Sequence, residues 1–205
     1  MNNNLTEIVF ILDRSGSMSG LENVTIRGFN GFVKKQTKLG KTHLTTVLFD
    51  DRYEILHNGI DAKNAFLTKK AYFTRGSTAL LDAVGKTIND VGNRLRKTPE
   101  HLRPGKVIFV ITTDGMENAS REFCYSEVKE MINHQTEKYG WEFIFMGANI
   151  DVFEESEKLG IFSDCVYEFE STSEGMNNMY DMALECCNNI RATTDKPKKK
   201  KTAKI

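Results

Sequence analysis

Three short apolar runs of one form constrain this chain more than any other feature. Residues 8–12 (IVFIL), 107–111 (VIFVI) and 143–146 (FIFM) are each four or five residues of mostly β-branched or aromatic type. Each breaks off at polar residues: Asp13, then Thr112-Thr113-Asp114, then Gly147-Ala148-Asn149. Runs with no alternation suit strands buried on both faces, which means a parallel sheet covered by helices. Between them lie helical spacings over 21–39, 79–97, 122–139 and 172–191. In 79–97 the apolar positions Leu80, Val84, Ile88, Val91 and Leu95 step by three and four, one face for the sheet. The methionines of the last helix, Met176 and Met179, read as a core face rather than a partner-binding one. Residues 43–57 differ: two β-like runs flank Asp50-Asp51-Arg52, which predicts a hairpin and one antiparallel strand. A further strand is predicted near 164–169, with Ser171 and Thr172 as candidate caps for the helix after it. The order β-α-β-β-α-β-α-β-α-β-α predicts an α/β fold: a doubly wound, Rossmann-like, mostly parallel central sheet with one antiparallel edge strand and helices on both faces.

At 205 residues the chain suits one domain, predicted over 1–191, with 192–205 a disordered lysine-rich tail. Charge sharpens that division. The formal total is zero, but residues 196–205 hold six lysines and no acid, leaving 22 basic against 28 acidic side chains in the rest. The tail lacks interleaved aromatics and reads as solvated; contact with nucleic-acid phosphates is its second reading. No apolar run reaches the 18 residues of a membrane span, and the four cysteines show no CxxC spacing. The expectation is a soluble cytoplasmic protein with reduced thiols and no membrane partner.

In open α/β sheets, ligands bind beyond the carboxyl ends of the strands where strand order reverses. Asp13 and Asp114 stand at two such ends, with the hydroxyls of Ser15, Ser17, Thr112 and Thr113. The loop TRGSTALLDA (74–83) adds Ser77 and Thr78 before a helix. Carboxylates and hydroxyls without imidazole or thiolate form a hard, all-oxygen set suited to Mg²⁺ or Mn²⁺. Alternation lets Asp13, Ser15 and Ser17 face one point while Arg14 and Met18 face away, with Gly16 relaxing the turn. Arg14 and Arg75 could add to the pull on an acidic ligand, or be ordinary solvated arginines. Asp82 could hold the loop or be an exposed polar residue. Glu117 and Asn118 could shape the rim or start a helix.

Asp13-x-Ser15-x-Ser17, Thr78 in GSTALLDA and Asp114 in ITTDGMENAS together resemble the metal-ion-dependent adhesion site of the von Willebrand factor A domain family, over about residues 5–190. The intracellular bacterial or phage-type members are the nearest in character. The resemblance implies that Ser15, Ser17 and Thr78 supply hydroxyl ligands to Mg²⁺ or Mn²⁺. It implies that Asp13 and Asp114 supply charge through water or by holding the hydroxyls, and that a protein partner's carboxylate completes the shell. The expected function is therefore metal-dependent protein binding. The alternatives are a metal-assisted phosphoester hydrolase and a structural component of a bacterial or phage complex. Other chemistry fits poorly. An aspartyl-phosphate route needs a second Asp where Ser15 stands, Gly85-Lys86-Thr87 lacks the first glycine of a P-loop, and the four histidines are scattered without an HExxH motif.

Overall fold

The computed structural model describes residues 1–193. Its centre is a six-stranded sheet in the order β3-β2-β1-β4-β5-β6. β1 (Asn2–Asp13) lies between β2 (Lys41–Phe49) and β4 (Pro104–Thr113), parallel to both. β5 (Glu142–Gly147) and the short β6 (Val166–Glu168) continue the parallel pairing. β3 (Tyr53–Asp61) returns antiparallel on β2 and forms the opposite edge. The element order and the single antiparallel edge strand are those read from the apolar runs.

The central runs alternate between two cores. Ile8, Phe10 and Leu12 of β1 face α1 (Glu22–Leu39) and α5 (Ser173–Ala192). Val9 and Ile11 face α2 (Leu80–Lys97), α3 (Tyr125–Tyr139) and α4 (Val152–Leu159). Met176 and Met179 are core residues, as the core-face reading requires. Cys187 is buried, Cys186 half-buried, and all four cysteines are free thiols. No helix among the described residues is long and apolar enough to cross a membrane. The predicted boundary at 191 falls at the end of α5, and residues 194–205 of the tail lie outside the described residues.

One feature of β1 is hidden by its apolar sequence. Glu7 is wholly buried in mid-strand, accepting from Thr45 Oγ1 at 2.8 Å and from Arg94 Nη1 of α2 at 3.2 Å. A buried carboxylate needs such a partner. Gly59 makes room for it: its φ is +63°, and a Cβ there would stand 2.5 Å from Arg94 Nη1.

Strand order reverses between β1 and β4. Their carboxyl ends carry Asp13 and Asp114, so the topology itself opens a crevice where the sequence places its oxygen donors.

Candidate metal centre

β1 ends at Asp13, and the chain turns at once into a 3₁₀ turn, Gly16–Met18, that presents Ser15 and Ser17. Ser15 Oγ and Ser17 Oγ stand 3.0 Å apart. Neighbouring corners of an octahedron with ~2.1 Å metal–oxygen bonds are about 3 Å apart, so this spacing suits two ligands of one Mg²⁺ or Mn²⁺. Ser17 Oγ donates to Asp114 Oδ1 in a short contact. Asp13 Oδ1 accepts the Ser15 amide at 2.6 Å, and its Oδ2 accepts Thr113 Oγ1 at 2.7 Å. Thr78 reaches the group from the loop before α2. A Cβ built on Gly115 would lie 3.2 Å from Thr78 Oγ1 and 3.3 Å from Ser17 Oγ, so both hydroxyls crowd the same glycine. The five predicted residues are thus brought to one place, with the carboxylates holding hydroxyl and amide groups rather than pointing free.

The left-handed glycine at the site is Gly76, at φ +67°, while Gly16 is not left-handed. A Cβ on Gly76 would fall 2.3 Å from Asp51 Oδ1. The Gly16 amide donates to the Gly76 carbonyl at 3.2 Å and the Arg75 amide to the Arg14 carbonyl at 2.9 Å, so the Ser15/Ser17 and Thr78 loops are stitched together. Ser77 is exposed while Thr78 is buried, which selects the second hydroxyl of the pair. Thr112 is turned back onto the Ile11 carbonyl, away from the site.

Both arginines are engaged by Asp50, Arg14 out of solvent and Arg75 at its edge. Arg14 is fully buried with its Nε 2.8 Å from Asp50 Oδ2, and Arg75 Nε is 2.7 Å from the same oxygen. Phe73 lies against both guanidinium groups. None of the ion pairs among the described residues involves Asp13 or Asp114. Burial pushes the Asp13 carboxyl up to about 6, against the pull of the Ser15 and Thr113 hydrogen bonds, and the charge of Asp114 adds to the rise. Burial raises Asp114 as well. Two buried carboxylates of like charge, bare of any basic side chain and bordered by three hydroxyls, have the chemistry of a divalent-cation cradle. No group of three or more His, Cys, Asp or Glu among the described residues could hold a metal ion.

Several supporting residues escaped the sequence. Ser171 is not the cap of α5; Thr172 is, accepting the Gly175 amide at 3.0 Å. Ser171 Oγ instead donates to Asp114 Oδ2 at 3.1 Å. Tyr72 Oη donates to the Asp13 carbonyl at 2.6 Å, a contact across 59 positions that no local pattern announces. Asn118 does support the site: its Oδ1 accepts the Thr78 amide at 2.9 Å. Glu117 accepts the Leu81, Ala119 and Ser120 amides, tying the loop after Asp114 to the start of α2.

Asp82 is buried and accepts three consecutive amides, Arg121, Glu122 and Phe123, at 2.9–3.0 Å. It holds the segment after Asp114 against α2. Asp82→Ala leaves those three donors without their anion and is expected to destabilise the fold by about 2–4 kcal/mol. Urea unfolding measures this; a change under 0.5 kcal/mol, of the order of an ordinary surface substitution, refutes the role.

No protein-family model and no curated protein sequence matches the chain. Solved structures do. Proximal thread matrix protein 1 from the mussel byssus, with a zinc-occupied MIDAS motif, is 15% identical at a TM-score of 0.61, covering 91% of this chain and 46% of that one. The manganese-loaded TRAP protein of Plasmodium vivax is 17% identical at 0.61, over 87% and 73%. The vWF domain of the type V pilus tip protein Mfa5 of Porphyromonas gingivalis is 12% identical at 0.63, over 93% and 97%. The chain spans about half the length of the mussel protein and nearly all of the Mfa5 domain. At these identities the likeness is one of architecture: the chain has the doubly wound fold of the von Willebrand factor A domain.

Proposed function

We propose that the protein is a divalent-metal-dependent binding module for another protein. Ser15, Ser17 and Thr78 hold Mg²⁺ or Mn²⁺ at the sheet top, Asp13 and Asp114 stand largely behind them, and a carboxylate from the partner completes the shell. The observation that carries this reading is the pair of buried, cation-free carboxylates whose hydrogen bonds position hydroxyls at ligand spacing. Hydroxyls leave a bound cation with uncancelled positive charge, which attracts an external acid. Metal-occupied relatives in fold, the zinc-bound byssus protein and the manganese-loaded TRAP protein, support the use of a divalent ion. The pilus tip and byssus matrix proteins support binding rather than catalysis. Four free thiols support a reducing, cytoplasmic setting.

The test is affinity capture from a lysate of the source cells, read by mass spectrometry, in Mg²⁺, in chelator and with Asp13→Ala. A partner present only with wild-type protein in Mg²⁺ is expected. Identical lanes sink the proposal. Turnover of model phosphoesters with Mn²⁺, lost in Asp114→Ala, would assign the site to hydrolysis instead.

A further inference from the structure

α1 carries Arg27, Lys34 and Lys38 at intervals of seven and four, which places them in one row along the helix. The row spans about 16 Å at 1.5 Å per residue. After β3 the chain returns along the same helix as a strap. It passes a 3₁₀ turn at Ala62–Asn64 and pins Leu67 to Asn30 by two hydrogen bonds, Leu67 amide to Asn30 Oδ1 at 2.8 Å and Asn30 Nδ2 to the Leu67 carbonyl at 2.9 Å. Lys69 then lines a shallow groove with Asn23, Ile26 and Arg27. The strap adds Lys63, Lys69 and Lys70 beside the helical row, and all six cations are exposed.

Among the described residues, none of these six side chains has an ion-pair, hydrogen-bond or ring partner. The acids nearby are engaged: Glu22 accepts from Thr74 and the Gly20 amide, Asp61 accepts the Lys63 amide, and Asp181 pairs with Lys35. A bare basic ribbon is unexpected in a body with 22 basic and 28 acidic side chains over residues 1–195. One further observation specifies what it meets. Phe66, 62% exposed, stands on the strap three residues from both Lys63 and Lys69, between buried Ala65 and Leu67.

We propose that this ribbon binds single-stranded nucleic acid, with the six cations on phosphates and the Phe66 ring stacked on a base. A row of ammonium groups is a sequence-independent phosphate track. One flat exposed ring flanked by cations suits base stacking, and only an unpaired base offers it a face. Its neighbours Ala65 and Leu67 are buried, so the strap offers little apolar surface for insertion into a bilayer.

The experiment uses the full chain and a fluorescein-labelled oligothymidylate of about 20 nucleotides, read by fluorescence anisotropy from roughly 50 to 300 mM salt, with chelator present so that the metal centre plays no part. Micromolar binding is expected at the low end, with a log–log salt slope of about −3 to −4 if some five phosphates are neutralised. The triple variant Lys34→Glu, Lys38→Glu, Lys69→Glu is expected to bind roughly 30-fold more weakly with a shallower slope. Phe66→Ala is expected to lose about fivefold or more on the single strand and nothing on a duplex of the same length. Unchanged melting temperatures establish that the variants are folded. No binding at low salt overturns the proposal. So does a triple variant that binds like wild type, or binding abolished by deleting 196–205 alone. Capture on phosphatidylserine vesicles without oligonucleotide binding would assign the ribbon to membranes and equally refute it.

Discussion

Asp50→Ala is expected to destabilise the protein by about 3–5 kcal/mol, the cost of leaving a buried charge without its partner. Arg14 has no solvent exposure, and Asp50 has none either. Asp50 Oδ2 takes both Arg14 Nε and Arg75 Nε, while its Oδ1 takes the Arg52 amide at 2.7 Å. Without Asp50, Arg14 keeps the Phe73 ring and one acid, Glu54, 2.9 Å from its Nη1 and half exposed. A chain of this length is expected to lose on the order of 6–15 °C in melting temperature. The loss extends to the proposed metal centre, since the Ala79 amide donates to the Asp50 carbonyl and the Arg14 amide to the Phe49 carbonyl, fixing the loops on either side of Thr78 and Ser15. The double variant Arg14→Met, Asp50→Leu is expected to recover most of the stability, because it removes both buried charges together. If the double variant is as unstable as Asp50→Ala, the ion pair is not the reason. The pH dependence has a definite sign. Burial raises Asp50, but hydrogen bonds from Arg75, the Arg52 amide and Arg14 outweigh it and hold the carboxyl below its usual value. Its contribution is therefore complete above about pH 4 and is lost as pH falls through the lowered value.

This cluster marks the boundary of what was legible. The succession of elements and the antiparallel edge follow from local features, runs without alternation and a turn at Asp50-Asp51-Arg52, and the carboxylates of the candidate site stand out because they sit where runs end, at Asp13 and Asp114. Arg14 was not legible, because an arginine inside DRSGS reads as a loop residue until β2 and β3 are known to bring Asp50 and Glu54 to it. Asp82 is the same case, since its three amide partners lie some 40 positions away. Ser171 shows a different failure. Ser171 and Thr172 carry the same hydroxyl chemistry, and only the tertiary path of the chain decides that one caps α5 while the other reaches Asp114. The ribbon was not legible, because the strap that sets Lys63, Lys69 and Lys70 beside α1 depends on where β3 ends.

Asp13→Asn is expected to make the metal-free protein more stable while removing the proposed metal site. Burial raises Asp13 from 3.8 to about 6, so the folded chain prefers this acid protonated. A raised acid destabilises the fold as pH climbs from the unfolded value to the folded one and leaves it weakened above both. The shift corresponds to about 3 kcal/mol withheld at neutral pH. Asparagine removes the charge and keeps the geometry: its carbonyl can accept the Ser15 amide, and Thr113 can turn its hydroxyl to accept from the new amide, since it also lies within reach of the Gly115 carbonyl at 3.1 Å. At pH 8 in chelator, the variant's melting temperature is expected to rise by about 4–10 °C. The wild type should gain stability on adding Mg²⁺ or Mn²⁺, because binding shifts folding by mass action, and the variant should not. In the wild type the proton and the cation compete for one carboxylate, so metal affinity should weaken about tenfold for each pH unit below roughly 6 and level off above it. Calorimetric titration in two buffers of different ionisation enthalpy measures the proton released. An Asn variant that melts lower than wild type in chelator, or an affinity flat between pH 5 and 7, would mean that Asp13 is held as an ordinary carboxylate and not for a cation. If the expected pattern holds, the fold carries a standing electrostatic cost at the end of β1 that a divalent ion relieves, and the same uncompensated charge that weakens the metal-free protein is what draws the ion in.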